Sequence, residues 1–362
     1  MKASYAIRRL AVAAASWICT CLLLAMLLNQ TLEAQAAAQV TDIARGMLSG
    51  MSPAEMQGRS PAEMRKLLEG RVRVSLGLDR PRAERILRRA ASLAVLDLDG
   101  RMWTGEDLKI PEKTRVRYRI LQALRPTLVL FSVSTLVAFA FGLPIGLLAA
   151  RKPTGRLDRF VAALAALIYG APAWWIGGFL VFFFGIENRI FPFGALHSSP
   201  PPEGALALFL DGASFLVLPV LSIALVRTWG VAYITRSIMT GVVCEDYVMA
   251  ARARGLPEAK AVGGHALKSA MPAVLTSAAI LVVQSLAGDA LVEVTFARPG
   301  LGRLVWEAIR QNDIGIAGGA LAVLSLLLIL VLALVDVAYG LLDPRIRDAR
   351  EREARAPAPR RR

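Results

Sequence analysis

The sequence predicts an all-α, polytopic membrane protein with six transmembrane helices, a helical extracytoplasmic insertion after the first span, and a short cytoplasmic helix between spans four and five. Three observations carry this prediction. Of 362 residues, 55% are hydrophobic and only 7% aromatic, so the apolar content is Ala, Leu, Val and Ile rather than the mixed content of a soluble core. Several apolar runs reach or approach the roughly 20 residues that a helix needs to cross about 30 Å of hydrocarbon at about 1.5 Å per residue. The basic residues behind the formal net charge of +15 fall between those runs and at the C-terminus. They form no continuous aromatic-studded stripe, which argues against nucleic acid as a partner.

The first run, about 7 to 28, follows Lys2, Arg8 and Arg9 and precedes Ala34-Gln35-Ala36, the layout of a secretory signal. Its apolar stretch from Leu10 to Leu28 is longer than the core of such a signal, so residues 1–29 are expected to stay as the first transmembrane helix.

Residues 30–123 are the one sizeable polar region, expected outside the membrane and helical. "SPAEM" occurs at Ser52 and again at Ser60, each time placing a Ser cap, a Pro at the first helical position and a Glu three residues after the cap. Farther on, "DRPRAERILRRAASLAVL" sets Ile86, Leu87, Ala90, Leu93 and Ala94 on one helical face, with Arg82, Arg85, Arg88 and Arg89 mostly opposite. Two readings stay open for this region: a small solvated domain, or a docking surface for an extracytoplasmic partner.

Residues 124–347 hold five further spans, near 127–150, 160–186, 213–234, 271–294 and 314–342, followed by a basic tail at 348–362. Short loops set the orientation. "RKPTGRLDR" carries Arg151, Lys152, Arg156 and Arg159, whereas the next connection has Arg189 against Glu187, Glu203 and Asp211. The first is therefore expected in the cytoplasm and the second outside. Both termini then face the cytoplasm, in agreement with the ending "APAPRRR". Arg298, Arg303 and Arg310, on the outer side, dissent mildly.

The longest interior cytoplasmic connection contains "DYVMAARARGLPEAKAVGGHALKSAMP", residues 246–272, broken by Gly255, Pro257, Gly263 and Gly264. Glu245 and Asp246 favour the positive end of a helix, Arg252 and Arg254 its negative end, and Gly255 followed by Pro257 stops it. Val243, Tyr247, Ala250 and Ala251 share one side, whose small residues admit another backbone closely. The pattern leaves two possibilities: a helix packed at the membrane surface, or a rigid lever set into a cytosolic partner.

A charge at mid-membrane costs on the order of 2.5 to 3.5 kcal/mol on the insertion scale, so each one asks for a reason. In the fifth span Gln284, Asp289 and Glu293 are candidates for a substrate path, or Asp289 and Glu293 pair with Arg298 or Arg303 at the outer interface. Pro299, Gly300 and Gly302, in "RPGLG", form either an outer gate loop or a plain connection. Arg227 and Asp336 are read as structural, satisfied by snorkelling or by each other.

Nothing in the sequence signals catalysis, a cofactor or a metal site. Cys19, Cys21 and Cys244 make neither a disulfide framework nor a zinc site, and His197 and His265 are expected on opposite sides of the membrane. There is no HExxH, no GxSxG and no P-loop.

"EDYVMAARARGLPEAKAVGGHALKSAMPAVLT" resembles the cytoplasmic loop of ABC importer membrane subunits, in their dipeptide, oligopeptide and nickel permease branch. Ala250 and Ala251 precede Gly255 as that pattern requires, while Met249 and Lys268 stand where the wider family has Glu and Pro. "LPIGLLAARKPTGRLDR", "YGAPAWWIGGFLVFFFG", "LVEVTFARPGLGRLVWEAI" and "LVDVAYGLLDPRIR" resemble successive parts of the same branch, from about 124 to 347. Residues 29–70 lack its Pro-Gly-Asp start, and "LDLDG" at 96–100 stands in place of a Gly-Asp-Leu-Gly element.

The resemblance implies a bacterial inner-membrane permease subunit that moves peptides or a related small solute inward by alternating access. It also implies a heterodimer with a second permease subunit, two cytosolic ATPase subunits and an extracytoplasmic solute-binding protein. Asp246, Tyr247, Ala250, Ala251, Arg252, Gly255 and Leu256 would then couple to the ATPases. Two other classes are set against it: an ion-coupled secondary carrier using Asp289, Glu293 and Asp336 as proton sites, and a membrane-anchored receptor or scaffold built on the polar insertion.

Overall fold

The computed structural model describes residues 2–51, 56, 59–75, 78–98, 116–288 and 290–342, and the described residues contain helices and no strand. In chain order the helices are α1 (Lys2–Ser49), α2 (Pro61–Ser75), α3 (Arg82–Ala94), α4 (Val116–Ala150), α5 (Arg156–Tyr169), α6 (Ala173–Leu180), α7 (Ala205–Val243) and α8 (Asp246–Ala253). Then come α9, which starts at Glu258–Lys260, passes a π-helical stretch at Ala261–Ala266 and runs on as Leu267–Gly288, α10 (Ala290–Thr295), α11 (Leu301–Arg310) and α12 (Ile314–Leu342). They fall into two compact units, one built on Arg125–Arg303 and the other on Val12–Leu124 with Leu304–Ile329.

Among the described residues four stretches are long and apolar enough to cross a membrane: Ile7–Thr31, Val116–Ala150, Ala205–Val243 and Ile314–Leu334. Within their apolar windows no more than 39% is buried, and Leu136, Phe141 and Leu334 are well exposed. Leaving a large apolar side chain in water forgoes about 1.5–3 kcal/mol, so a handful of such positions equals a typical domain's whole stability of about 5–15 kcal/mol. These faces therefore require lipid or a partner as their solvent.

The expected third span is not straight. Arg156–Ile168 and Ala173–Glu187 meet at 90°, because Gly170, Ala171 and Pro172 interrupt the ladder: Pro172 donates no backbone N–H and biases the residue before it away from helix. A π-helical stretch, Val181–Glu187, extends α6. The expected fifth span, 271–294, crosses Asp289, which lies outside the described residues. Gly263 and Gly264, expected from the sequence to break the chain, do not; they lie in the π-helical stretch of α9, whose buried face of Ala261, Val262 and Ala266 supplies the packing that offsets their poor propensity.

In the Val12–Leu124 unit the second capping box forms as the sequence predicts. Glu63 N–H donates to Ser60 Oγ at 3.3 Å, and Ser60 N–H returns to Glu63 Oε2 at 3.0 Å. The first "SPAEM", at 52–56, lies mostly outside the described residues. The expected face of α3 is rotated: Arg89, Ala90 and Leu93 are buried while Leu87 is exposed. The cause is on α1, where buried Asn29 accepts from Arg89 Nη1 and Glu33 accepts from Arg85 Nη2 at 2.7 Å. Polar groups from α1 make an arginine face the better one to bury.

In the Arg125–Arg303 unit, α4 and α7 pack side by side and parallel. A side chain at Gly142 would meet Thr228 O and Val231 at 2.7 Å, and one at Gly146 would meet Ala232 O at 2.5 Å and Thr235 at 2.7 Å. Four residues along one helix match four along the other, so the Gly-xxx-Gly pair lets the two backbones touch. Farther toward their C-terminal ends, Ala150 of α4 joins Met239 and Val243 of α7 in a core with Val248 of α8 and Val262, Ala266 and Ala270 of α9.

Candidate functional site

The short helix α8 begins at Asp246, with Glu245 in extended conformation before it. It ends in a Schellman motif. Gly255 N–H donates to Arg252 O at 2.9 Å, Leu256 N–H reaches back to Ala251 O at 3.2 Å, and Gly255 sits at φ +82°. Only glycine takes this left-handed turn without steric cost. Arg252 then spans the turn: its Nε donates to Glu258 Oε2 at 3.0 Å and its Nη2 to Glu258 Oε1 at 2.8 Å. Its Nη1 points to Val243 O, 3.4 Å away, at the end of α7. One guanidinium thus ties the end of α7, the end of α8 and the start of α9.

The Arg252 guanidinium holds the Glu258 carboxyl below the usual carboxylate range, and Glu258 in turn raises Arg252. Glu258 stays ionised at neutral pH, so the clamp is closed there.

The face predicted for this helix is divided. Val248 and Ala251 are buried against the bundle, whereas Asp246, Tyr247, Met249 and Ala250 are exposed. Val243 belongs to the end of α7. The turn at Cys244–Glu245 separates the two helices and resets the helical phase, which a single periodicity drawn through both could not anticipate. The free face of α8 therefore presents Tyr247, Met249 and Ala250, and Ala251 anchors it.

A second feature lies beside this site. Asp158, 3% exposed, accepts from Arg236 Nη2 at 2.9 Å and from Arg236 Nε, and takes the Thr154 N–H at 3.1 Å. The loop at 151–159 is thereby fixed to α7. Sequence reasoning passed over this pair, although Asp158 is the sole acid among the four cations of "RKPTGRLDR", a signal available to it.

Glu293 is nearly fully buried at 1% exposure, under the "RPGLG" loop. Thr127 Oγ1 donates to its Oε1 at 2.7 Å, and the N–H groups of Gly302 and Arg303 donate to its Oε2 at 2.7 and 3.3 Å. Thr127 Oγ1 also accepts from Leu301 N–H at 2.8 Å. Glu293 and Thr127 together satisfy the first N–H groups of α11. Glu293 therefore holds the loop through hydrogen bonds, with the Arg298 charge near it.

The loop glycines serve the same packing. A side chain at Gly300 would come within 2.2 Å of the Glu293 carboxyl, and one at Gly302 within 2.5 Å of Ala290; Pro299 is exposed. Gln284 lies in α9, with its side chain outside the described residues, as is that of Asp336. Arg227 donates to Thr135 Oγ1 at 3.2 Å and lies 5.8 Å from the Phe131 ring centre, so α4 supplies its surroundings.

Residues 142–348 match the family described as binding-protein-dependent transport system inner membrane component. The chain is 33% identical over 276 residues to a probable peptide ABC transporter permease protein of Sinorhizobium fredii, covering 76% of this chain and 84% of that one. It is 31% identical over 289 residues to the dipeptide transport system permease protein of Escherichia coli K12, covering 72% and 85%. Among solved structures, an inward-facing conformation of the MetNI methionine ABC transporter aligns with a TM-score of 0.52 at 17% identity, covering 65% of this chain and all of that one.

Proposed function

The chain belongs to the family of inner-membrane components of binding-protein-dependent transport systems, and from that premise we propose that it carries peptides inward by alternating access driven by partner ATPases. It is the multi-pass permease subunit of an ABC importer, a membrane component rather than an enzyme. Peptides are the proposed substrate because relatives that match most of their own length are named as peptide, dipeptide or di/tripeptide permeases.

The observation that carries the mechanism is the clamped helix α8. Its Schellman stop and the Arg252–Glu258 pair make it move with α7 and α9 as one piece, while Tyr247 and Met249 stand free for a partner. In our reading, Asp246, Tyr247, Ala250, Ala251, Arg252, Gly255 and Leu256 form the unit that receives the ATPases' closure. Two cytosolic ATPases, a second permease subunit and an extracytoplasmic binding protein complete the assembly. The basic loop at 151–159 supports a cytoplasmic position for this side, hence cytoplasmic termini. Residues 30–123 are read as an extracytoplasmic helical domain ahead of the five-span region 124–347. Gln284, Asp289 and Glu293 are the candidates for the substrate path.

The test is reconstitution of the chain with its candidate permease partner, ATPases and binding protein in proteoliposomes. ATP-dependent peptide uptake is expected. Uptake that persists undiminished without ATPase subunits would overturn the reading in favour of an ion-coupled carrier.

A further inference from the structure

We propose that the cavity walled by α4 and α7 in the Arg125–Arg303 unit is a solute subsite in which Arg298 receives a carboxylate. The identification of that carboxylate as a peptide's C-terminal group rests on the peptide reading above.

The cavity encloses ≈ 910 Å³, and apolar side chains such as Val129, Val133 and Val137 of α4 and Leu216, Val220 and Leu221 of α7 make most of its wall. A volume of this size with few polar groups is the usual setting for a small ligand. Among the described residues its ionisable lining groups are Arg298, Arg125 and His197, with no carboxylate. His197 already faces Asp211, with Nδ1 3.3 Å from Oδ2, and Arg125 is exposed.

Arg298 differs from both. It is 4% exposed, and its Nε and Nη1 are buried with no hydrogen-bond partner among the described residues. Glu293 lies near enough for a charge interaction with Arg298 but gives those two nitrogens no hydrogen bond; its oxygens accept from Thr127 Oγ1 and from the N–H groups of Gly302 and Arg303.

The backbone on either side of Arg298 is fixed. Ala297 holds a left-handed φ of +47°, unusual for a residue with a Cβ, and Arg298 O accepts from Gly300 N–H at 2.8 Å. A guanidinium carries its donors in a planar fork that matches the two oxygens of a carboxylate. Buried donors that lack a hydrogen-bond partner beside an apolar cavity favour an entering anion. A short peptide fits both parts: its carboxylate on Arg298, its apolar side chains on the valine and leucine wall.

Uptake of alanyl-alanine and of its C-terminal amide should be compared in the complete reconstituted transporter, wild type against Arg298→Gln and Arg298→Lys. The selectivity of the binding protein is common to all three and cancels in the ratio of ratios. The carboxylate-to-amide preference should fall tenfold or more in Arg298→Gln and be partly kept in Arg298→Lys; an unchanged preference overturns the proposal. So does a preference that follows the phosphatidylglycerol content of the vesicles instead of residue 298, which would assign the arginine to lipid phosphate.

A second measurement needs no variant and no transport. Phenylglyoxal labelling of Arg298 in the wild-type complex, read by mass spectrometry, should be blocked by propionate and not by propionamide. If neither dipeptide crosses, the peptide reading fails while protection by propionate still sustains the carboxylate site. Equal labelling with both additives overturns it.

Discussion

Arg252 and Glu258 close on each other at 3.0 and 2.8 Å across the left-handed Gly255, so the stop of α8 is held by a side-chain bridge as well as by backbone bonds. The two halves of that stop are separable by experiment.

Gly255→Ala tests the backbone half alone. A Cβ there would meet nothing within 4 Å, so the change adds no crowding and leaves only the cost of a left-handed residue with a side chain, about 1 kcal/mol. We expect the complex to fold, with uptake per ATP hydrolysed falling severalfold. Uptake and ATP hydrolysis measured on the same proteoliposomes check this. Gly255→Trp should uncouple more severely, and intact coupling in it would sink the lever role of α8.

Glu258→Gln tests the bridge. Because Arg252 lowers the folded-state pKa of Glu258, the pair's stabilisation is complete above the unfolded carboxyl value of about 4.3 and fades as pH falls through the lower folded value. The pair is partly exposed, at 31% and 45%, which limits it to well under about 1 kcal/mol. The small difference in melting temperature between wild type and variant should persist from pH 8 to pH 5, vanish at lower pH, and shrink in high salt.

Asp158 and Arg236 form the deeper pair, and their coupling should be correspondingly larger. Asp158→Asn leaves a guanidinium short of its partner and should cost about 1–3 kcal/mol. In a double-mutant cycle with Arg236→Met, the second change should cost much less than it does alone. Denaturation of the detergent-solubilised complex measures it; strict additivity would show that the pair carries no coupling.

Gly146→Leu and Gly241→Ala should move stability in opposite directions. The first drives a side chain against Ala232 O and Thr235, whereas Gly241 has nothing within 4 Å. Replacing an uncrowded helical glycine by alanine gains up to about 1 kcal/mol. We expect loss of folded protein for Gly146→Leu and a modest rise in melting temperature for Gly241→Ala, both read by thermal unfolding.

Where the deciding interaction is local, the sequence is legible. The capping box at Ser60, the ends of α8 and the turn chemistry of Gly255 are each set by residues within a few positions of one another. What escaped depends on partners distant in sequence. The buried face of α3 is decided by Asn29 and Glu33 of α1, and Glu293 is engaged by Thr127, 166 residues away. The bend at Gly170–Pro172 was available from its composition, but a continuous apolar run concealed it. That Arg298 Nε and Nη1 lack a hydrogen-bond partner among the described residues leaves no mark in the sequence, because it depends on the fold around them.

The contact at Gly142 and Gly146 acts as a fulcrum. It lies between the N-terminal halves of α4 and α7, which wall the cavity, and their C-terminal ends, which share a core with α8. Backbones that touch cannot approach further, so a push that separates the two helices beyond that point turns them about it. When two rods lie side by side and touch at one place, spreading one pair of ends narrows the other, and the width of the Arg298 cavity becomes a quantity set from the opposite end of the helices.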